Sequence, residues 1–347
     1  MLKLFTNTNL LTEQNRGHVF PLLFDLHYLR NVTLGTFYSI VSDIKDCDIV
    51  VVPLEYVYTL KTYSTILNSF LEQAAQVDKP IWVYSGGDFG YTIKEDNLYN
   101  FRLSGFNSKL HDRSIIIPSF INDPYIDKLE TNFTALHKNP VPEIGFVGHA
   151  KGGAIKYFKE FLSFVKVNLK RTFKNEYKDF QPFYPSSIKR SKYLHSIQKN
   201  QKIKANFILR NHYRAGVKTA SEKEETTLAF YKNIYQNPYT FCLRGAGNFS
   251  VRFYETLAVG RIPVLINTDC KLPLSDHIDW NKHCLIINEQ NFENVEHHIL
   301  KFHNNLSEDD FIQLQKSNRD LWMKSLKRES FFIKIHEHFI NTLQLHE

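Results

Sequence analysis

The stretch 239-YTFCLRGAGNFSVRFYETLAVGRIPVLI-266 decides the fold. Its first residues, Tyr239–Leu243, form a short apolar run that predicts a buried strand. A loop with two glycines follows, then a helical period that starts at Ser250 and stops at Gly260, and then a second apolar run at Ile262–Ile266. A strand, a helix and a strand in this order predict a parallel βαβ unit, which binds ligands at the carboxyl ends of its strands.

The loop and the helix start carry the residue types that a diphosphate site needs. The glycines allow close approach of the backbone, and the free N–H groups of a helix N-terminus favour an anion. Arg244 and Arg252 can each add charge-assisted hydrogen bonds, and Ser250 is the predicted N-cap, whose hydroxyl could also face the ligand. Glu255 shares a helix face with Arg252, where it could accept hydrogen bonds from ribose hydroxyls. On spacing alone, an ordinary surface ion pair between Arg252 and Glu255 is the alternative.

Strands alternate with helices on both sides of this stretch. The further predicted strands are Leu2–Thr6, Asp48–Pro53, Pro80–Tyr84, Ser114–Pro118, Glu143–Val147, Ala205–Leu209 and Cys284–Ile287, and the helices between them include Tyr58–Val77, Ala154–Leu169 and Ser221–Tyr235. This pattern predicts an α/β protein with two Rossmann-like domains that face each other across a cleft. The proline-containing connector His137–Pro142 predicts domains at 1–138 and 139–328, and a last helix at 329–347 is expected to pack back on the first domain.

Composition and charge narrow the class of protein. The chain has 347 residues, of which 43% are hydrophobic and 14% aromatic, and no apolar run reaches the length of a membrane span. The polar N-terminus does not read as a signal peptide, so a cytoplasmic location is expected. Residues 139–235 hold 19 Lys and Arg against 7 Asp and Glu, a balance of +12 within a net charge of +7. That excess indicates nucleic acid, a phosphate-bearing ligand or an anionic membrane as partner, unless it is only a solvated helical face.

The pattern F-C-L-R-G-x-G-N-F-S-x-R-F-Y-E-x-L-x-x-G-R-I-P-V from Phe241, followed by Asp269-Cys270 and Ile278-Asp279-Trp280, resembles the exostosin-like glycosyltransferases (glycosyltransferase family 47) in their bacterial form. Weaker similarities lie at Ile144–Gly148 and Phe207–Arg214. The resemblance implies a GT-B fold with the acceptor at the first domain and the nucleotide-sugar donor, expected to be a UDP-sugar, at the second. It also implies inversion at the anomeric carbon, with no cofactor and no essential metal.

Carried onto this chain, the resemblance assigns the donor site residue by residue. Glu255 would hold the ribose. The diphosphate would lie among residues of the helix start and its loop, which are Arg244, Gly245, Gly247, Asn248, Ser250 and Arg252. Arg210 and Arg214 would converge on the same anion, and the loop Gly148–Gly153, with Gly148 and His149, would face the donor. The expected role is transfer to a glycan or lipid-linked acceptor in surface polysaccharide biosynthesis.

Inversion requires a base for the acceptor hydroxyl, and we expect it at a strand end of the first domain. Asp88, directly after strand Pro80–Tyr84, is the first candidate, and Glu13, after the first strand, is the second. A turn residue that binds local backbone N–H groups is the alternative for Asp88. Asp46-Cys47-Asp48, the one DxD, precedes a strand and is interpreted as a turn rather than a metal site.

Three other functions remain open from the sequence. A fucosyltransferase-like GT-B enzyme is the near neighbour, although its hallmark helix sequence is absent. A nucleic-acid-binding protein would use the +12 segment, but nothing in that segment resembles a known recognition module, so no nucleic acid is expected. A catalytically inactive scaffold is disfavoured by the presence of Arg244, Arg252 and Glu255. Lysines between Lys151 and Lys204 are expected to rest the protein on anionic lipid at the inner face of the membrane.

Overall fold

The computed structural model of the protein describes residues 1–93, 95, 97–173, 176–210 and 216–344. The chain divides into two compact α/β units. The first unit comprises Met1–Pro118, Tyr177–Phe180 and the chain from Arg328 onward. The second unit comprises Ser119–Glu176 and Gln181–Lys327.

The first unit is built on a six-stranded parallel sheet in the order β2-β1-β3-β4-β5-β6. Its strands are β1 Leu2–Phe5, β2 Tyr38–Val41, β3 Ile49–Val51, β4 Ile81–Ser85, β5 Leu98–Arg102 and β6 Ser114–Ile116. Its helices are α1 Pro21–His27, α2 Val32–Phe37, α3 Tyr56–Thr62, α4 Ser64–Gln76 and, from the end of the chain, α11 Arg328–Gln344. Buried aromatic rings join α11 to the sheet, since Phe339 lies 4.7 Å from Trp82 of β4 between ring centroids.

The second unit is built on a five-stranded parallel sheet in the order β11-β10-β9-β7-β8. Its strands are β7 Glu143–His149, β8 Lys204–Arg210, β9 Tyr239–Cys242, β10 Ile262–Asn267 and β11 Leu285–Asn288. Its helices are α5 Ala154–Phe173, α6 Ser186–Lys199, α7 Ala220–Gln236, α8 Val251–Ala258, α9 Val295–Asn305 and α10 Glu308–Leu321.

Both sheets have the doubly wound strand order, in which the second strand lies outside the first and the later strands continue on the other side. The chain therefore changes direction between β1 and β3 in the first unit and between β7 and β9 in the second. Such switch points open a crevice at the carboxyl ends of the two strands, where ligands of this fold bind. Two doubly wound units are the components of the GT-B fold, so the predicted fold class is confirmed.

The structure divides the chain earlier than the predicted boundary at 138/139. Residues 119–142 precede the first strand of the second sheet yet pack within the second unit. The Tyr125 hydroxyl donates to the Val259 carbonyl oxygen at 2.8 Å, and the Leu136 N–H donates to Gln315 Oε1 at 3.0 Å. Because these contacts hold the segment to its own unit, the prolines of the connector interrupt regular structure without marking a boundary.

The predicted helix Tyr58–Val77 is two helices, α3 and α4, which meet at Tyr63 with φ −135° and ψ 39°. The DxD lies at the amino end of β3, as predicted, where the Asp48 carboxylate accepts from the Lys3 N–H at 2.8 Å. No helix in the described ranges has both the length and the hydropathy of a membrane span. Within those ranges, no group of three or more His, Cys, Asp and Glu side chains is arranged to hold a metal ion.

Candidate functional site

The loop between β9 and α8 lies at the carboxyl end of the second sheet, beside the switch point. Helix α8 buries Phe253, Tyr254, Leu257 and Ala258, and this leaves Arg252 and Glu255 half-buried at the edge of its packed face. The apolar spacing of the sequence thus sets which side of the helix borders the crevice. In the loop, Gly245 is exposed with open space where a side chain would stand, and Gly247 is buried.

Arg244 is buried at the end of β9, where contacts with described residues fix its side chain. One terminal nitrogen donates to Gln181 Oε1 at 3.1 Å and to the Ala246 carbonyl oxygen at 2.8 Å. Its guanidinium also lies 4.8 Å from the ring centroid of Tyr184. Burial lowers the pKa of Arg244, an effect that nearby acidic groups, Glu289 among them, oppose. The side chain is therefore positioned before any ligand arrives.

Arg252, in the first turn of α8, extends to the end of β7. Its guanidinium donates to the Val147 carbonyl oxygen at 2.8 Å and lies 4.3 Å from the ring centroid of Phe146. A Cβ atom on Gly148 would come within 2.9 Å of the same guanidinium, so the glycine leaves the room that Arg252 occupies. Burial lowers the pKa of Arg252, and the charge of Arg210 lowers it further.

Arg210 ends β8, where its guanidinium donates to the Thr226 carbonyl oxygen of α7 at 2.8 Å. Its charge contributes to the lowered pKa of Arg252. Arg214, also predicted here, lies outside the described residues.

A fourth arginine, Arg190 of α6, lies at the switch point and was not predicted. It donates to the His149 carbonyl oxygen at 2.8 Å and to the Arg244 carbonyl oxygen at 3.1 Å. It therefore joins the chain at the carboxyl ends of β7 and β9. Burial, with a smaller contribution from the charge of Arg252, lowers the pKa of Arg190 to about 10. Its buried Nε has no hydrogen-bond partner in the described part of the chain.

These four residues, Arg190, Arg210, Arg244 and Arg252, are named the arginine cluster. Arg190, Arg210 and Arg252 form no ion pair with any described carboxylate, and backbone carbonyl oxygens hold them instead. Carbonyl oxygens orient a guanidinium without neutralising its charge. Guanidinium groups oriented in this way at low dielectric provide a site for a polyvalent anion.

Glu255 is the carboxylate nearest to the cluster in sequence and lies one turn after Arg252. Burial raises the pKa of Glu255 to about 7, although the charge of Arg252 opposes the shift. Among the described residues its carboxylate has no hydrogen-bond or ion-pair partner, so the surface ion pair with Arg252 does not form. A half-buried carboxylate in this position is open to a ligand hydroxyl.

The other predicted donor-site residues differ in whether their side chains bind within the fold. Ser250 holds the N-cap position of α8, as predicted, and its side chain makes no capping hydrogen bond. Asn248 uses its amide within the fold, where it accepts from Thr268 Oγ1 at 2.6 Å and donates to the Thr268 and Asp269 carbonyl oxygens. Asn248 therefore fixes the loop that follows β10 rather than presenting its amide to a ligand. His149, at the end of β7, has its Nδ1 3.2 Å from Ser187 Oγ.

The first unit has its own groove at the carboxyl ends of its central strands. Its volume is about 400 Å³, and it is lined by Gly17, His18, Glu55, Val57, Tyr84, Gly86, Gly87, Asp88, Phe89, Gly90, Tyr177 and Lys178. Asp88 is exposed in the turn after β4 and makes no side-chain hydrogen bond with a described residue, so the alternative of a turn-stabilising carboxylate does not hold. Its backbone carbonyl oxygen accepts from Ser104 Oγ at 2.6 Å, which fixes the turn.

Two further groove residues were not predicted. The Glu55 carboxylate accepts from the Tyr58 N–H at 2.7 Å and the Gly86 N–H at 3.2 Å, so its oxygens serve the fold. The His18 ring stacks on Tyr58 with 3.7 Å between ring centroids. Glu13, the second candidate base, is not among the lining residues and forms an ion pair with Arg16 at 3.1 Å.

A sequence profile described as the Exostosin GT47 domain matches residues 31–302, which covers most of both units and the entire described arginine cluster. The chain belongs to the exostosin GT47 family. This confirms the resemblance at the level of the family, which is a family of glycosyltransferases.

Curated exostosins match over shorter stretches. Exostosin-1b of Danio rerio is 28% identical over 117 residues, which are 33% of this chain and 14% of that protein. The Exostosin-1 homolog of Caenorhabditis elegans is 45% identical over 53 residues, 15% of this chain and 14% of that protein. The match thus spans about a seventh of the length of these exostosins.

Solved glycosyltransferases are similar only at a distance. An α1,3-fucosyltransferase is 14% identical with a TM-score of 0.39, and the alignment covers 98% of this chain and 89% of that one. A glycosyltransferase from Rickettsia africae is 12% identical with a TM-score of 0.38, and 98% of each chain is covered. The fold assignment rests on the two sheets and the family match.

The position of Arg190 predicts a specific loss. Arg190→Met should weaken binding of UDP roughly tenfold to a hundredfold, because a buried charged hydrogen-bonding group is removed from the anion site. Binding of uridine, measured by the same calorimetric titration, should change by less than about twofold because uridine carries no diphosphate. Lys199→Met removes one positive charge from the exposed end of the same helix and is the control. Equal losses for UDP and uridine would mean that Arg190 has only a structural role.

The raised pKa of Glu255 predicts a pH-dependent stability. The folded protein holds the proton on Glu255 up to pH about 7, whereas the unfolded chain releases it near 4.5. Ionisation therefore lowers the free energy of unfolding of the wild type as pH rises through this window. Relative to wild type, Glu255→Gln should gain on the order of 2 kcal/mol of stability between pH 4.5 and 7.5. Denaturant titrations check this, with the exposed Glu224→Gln as a control that should show no such trend.

Proposed function

We propose that this chain is an inverting glycosyltransferase that transfers a sugar from a nucleotide-sugar donor, a UDP-sugar, to a hydroxyl of a glycan or lipid-linked acceptor. The observation that carries the proposal is the arginine cluster, which backbone carbonyl oxygens hold at the switch point of the second sheet. The role we propose is surface polysaccharide biosynthesis, with the protein in the cytoplasm and peripheral to the inner face of a membrane.

The cluster would bind the donor diphosphate and stabilise it as it leaves. Negative charge develops on the diphosphate as the bond to the anomeric carbon breaks, and fixed cations lower the energy of that state. Arg190 and Arg252 already have their positions set by β7 and β9, so little reorganisation accompanies the reaction. We assign no essential metal to this step, because the four guanidinium groups supply the positive charge it needs.

Glu255 would accept hydrogen bonds from the ribose hydroxyls of the donor. Hydrogen bonds to a carboxylate favour its ionised form, so donor binding should lower the pKa of Glu255 from about 7. Donor binding near neutral pH would then be coupled to the release of a proton from Glu255.

Asp88 would act as the general base. The acceptor hydroxyl oxygen attacks the anomeric carbon, its proton passes to the Asp88 carboxylate, and the bond to the diphosphate oxygen breaks on the opposite side. Attack from the side opposite the leaving group inverts the configuration at the anomeric carbon. Asp88 is favoured over Glu55, whose oxygens accept two backbone hydrogen bonds, and over Glu13, which is paired with Arg16.

A screen of nucleotide sugars for transfer or hydrolysis by the purified protein tests the activity, and Asp88→Asn tests the base. With the best donor, Asp88→Asn should lower kcat by about a hundredfold or more, because general-base catalysis contributes that much. Donor affinity should stay within about twofold of wild type, because Asp88 is in the first unit. Glu13→Gln is the matched control and should retain wild-type kcat. Wild-type turnover in Asp88→Asn would remove Asp88 from the mechanism.

A further inference from the structure

Helix α5 carries an apolar stripe that faces away from the protein. Its members are Ile155, Phe158, Leu162, Leu169 and Phe173, which are 77%, 59%, 49%, 51% and 79% exposed. Spacings of three, four, seven and four residues place all five on one side of the helix. None of the residues of α5 is fully buried. Apolar residues scattered singly on a surface are ordinary, whereas a continuous stripe along a helix of about 30 Å marks an interaction surface.

A different side of α5 fastens it to the second unit. The rings of Tyr157, Phe161 and Phe164 each contact Phe183, with centroids 5.3 to 5.5 Å apart. The helix therefore already has an apolar seam against its own unit. The outward stripe is a second apolar surface, which the described residues of the unit leave exposed.

Positive charge borders the stripe along its length. Lys159, Lys166 and Lys170 are exposed, and their spacing of seven and four residues places them on one flank of the stripe. None of the three forms an ion pair with a described residue. On the same helix Lys156 pairs with Glu160, the only acidic residue of α5, at 3.5 Å between nitrogen and oxygen.

We propose that α5 is a docking helix for an anionic membrane surface. It would lie in the plane of the interface, with the stripe inserted among acyl chains and the three flanking lysines against lipid phosphates. A second copy of this chain fits less well, because two stripes in contact would bring rows of lysines together with no carboxylates between them. Nucleic acid would match the lysines but leave the stripe exposed to water.

Docking through α5 would place the second unit at the membrane, because α5 belongs to that unit. The loop Gly148–Gly153, which is proposed to face the donor, would lie close to the membrane because it leads directly into the helix. The proposal does not depend on the identity of the donor or acceptor. Its test uses neither, so a negative result leaves the proposed glycosyl transfer standing.

The test is co-sedimentation of the purified chain with vesicles in which about a third of the lipid is anionic phosphatidylglycerol, at low salt. Wild type should bind them and should bind pure phosphatidylcholine vesicles far more weakly. Serine at Ile155, Phe158 and Leu162 together should lower the partition coefficient by about tenfold or more. Glutamine at Lys159, Lys166 and Lys170 should lower it by about fivefold per lysine and remove most of its salt dependence.

Val32→Ser and Ile126→Ser are matched controls, because these side chains are 83% and 78% exposed outside α5. They should bind vesicles as wild type does, and all variants should keep the melting temperature of the wild type because the replaced groups lie on the surface. Absence of binding at low salt, or wild-type binding by the serine variant, would overturn the proposal. A wild-type dimer in sedimentation velocity that the serine variant dissociates would also overturn it, because the stripe would then be a self-association surface.

Discussion

The second unit of this protein depends on one interaction, the bridge that Arg190 makes between the His149 and Arg244 carbonyl oxygens. These oxygens belong to the chain at the ends of β7 and β9, the two strands between which the sheet changes direction. A doubly wound sheet opens a crevice at such a point, and a guanidinium that spans it fills the crevice with positive charge. Arg244 and Arg252 approach the same place from β9 and α8, and Arg210 from β8. An anion bound there would neutralise the positive charge of these guanidinium groups, which the carbonyl oxygens orient but do not neutralise.

The two units share one architecture but carry groups of opposite charge at the carboxyl ends of their strands. In the second unit the strand ends gather guanidinium groups, whereas in the first unit they gather the carboxylates of Glu55 and Asp88 around an open groove. Because Glu55 binds two backbone N–H groups, it shapes the turn in which Asp88 stands. In the proposed inverting transfer, the guanidinium groups would stabilise the leaving group and the Asp88 carboxylate would accept the proton.

The sequence predicts those parts of the site that are contiguous along the chain. Arg244, Arg252 and Glu255 fall within one strand, loop and helix, so their spacing alone places them together. Arg190 could not be predicted from the sequence. It lies on α6, which begins after a stretch rich in Tyr and Pro, and only tertiary packing brings its side chain to the ends of two strands. The strand β5 could not be predicted for a related reason. Its buried residues include the polar Asn100 and Arg102, which are satisfied by hydrogen bonds to loop residues such as Tyr91 and Phe89, so its sequence lacks the apolar pattern of a buried strand. For α5 the sequence predicts the helix, but which of its apolar sides faces outward depends on Phe183, a residue distant in the chain.

A crystal structure of the protein with UDP would test the role of the arginine cluster most directly. We predict that the diphosphate lies within hydrogen-bonding distance of Arg190, Arg244 and Arg252, and that the ribose hydroxyls donate to the Glu255 carboxylate. A diphosphate bound away from the arginine cluster, or a ribose that does not contact Glu255, would contradict it.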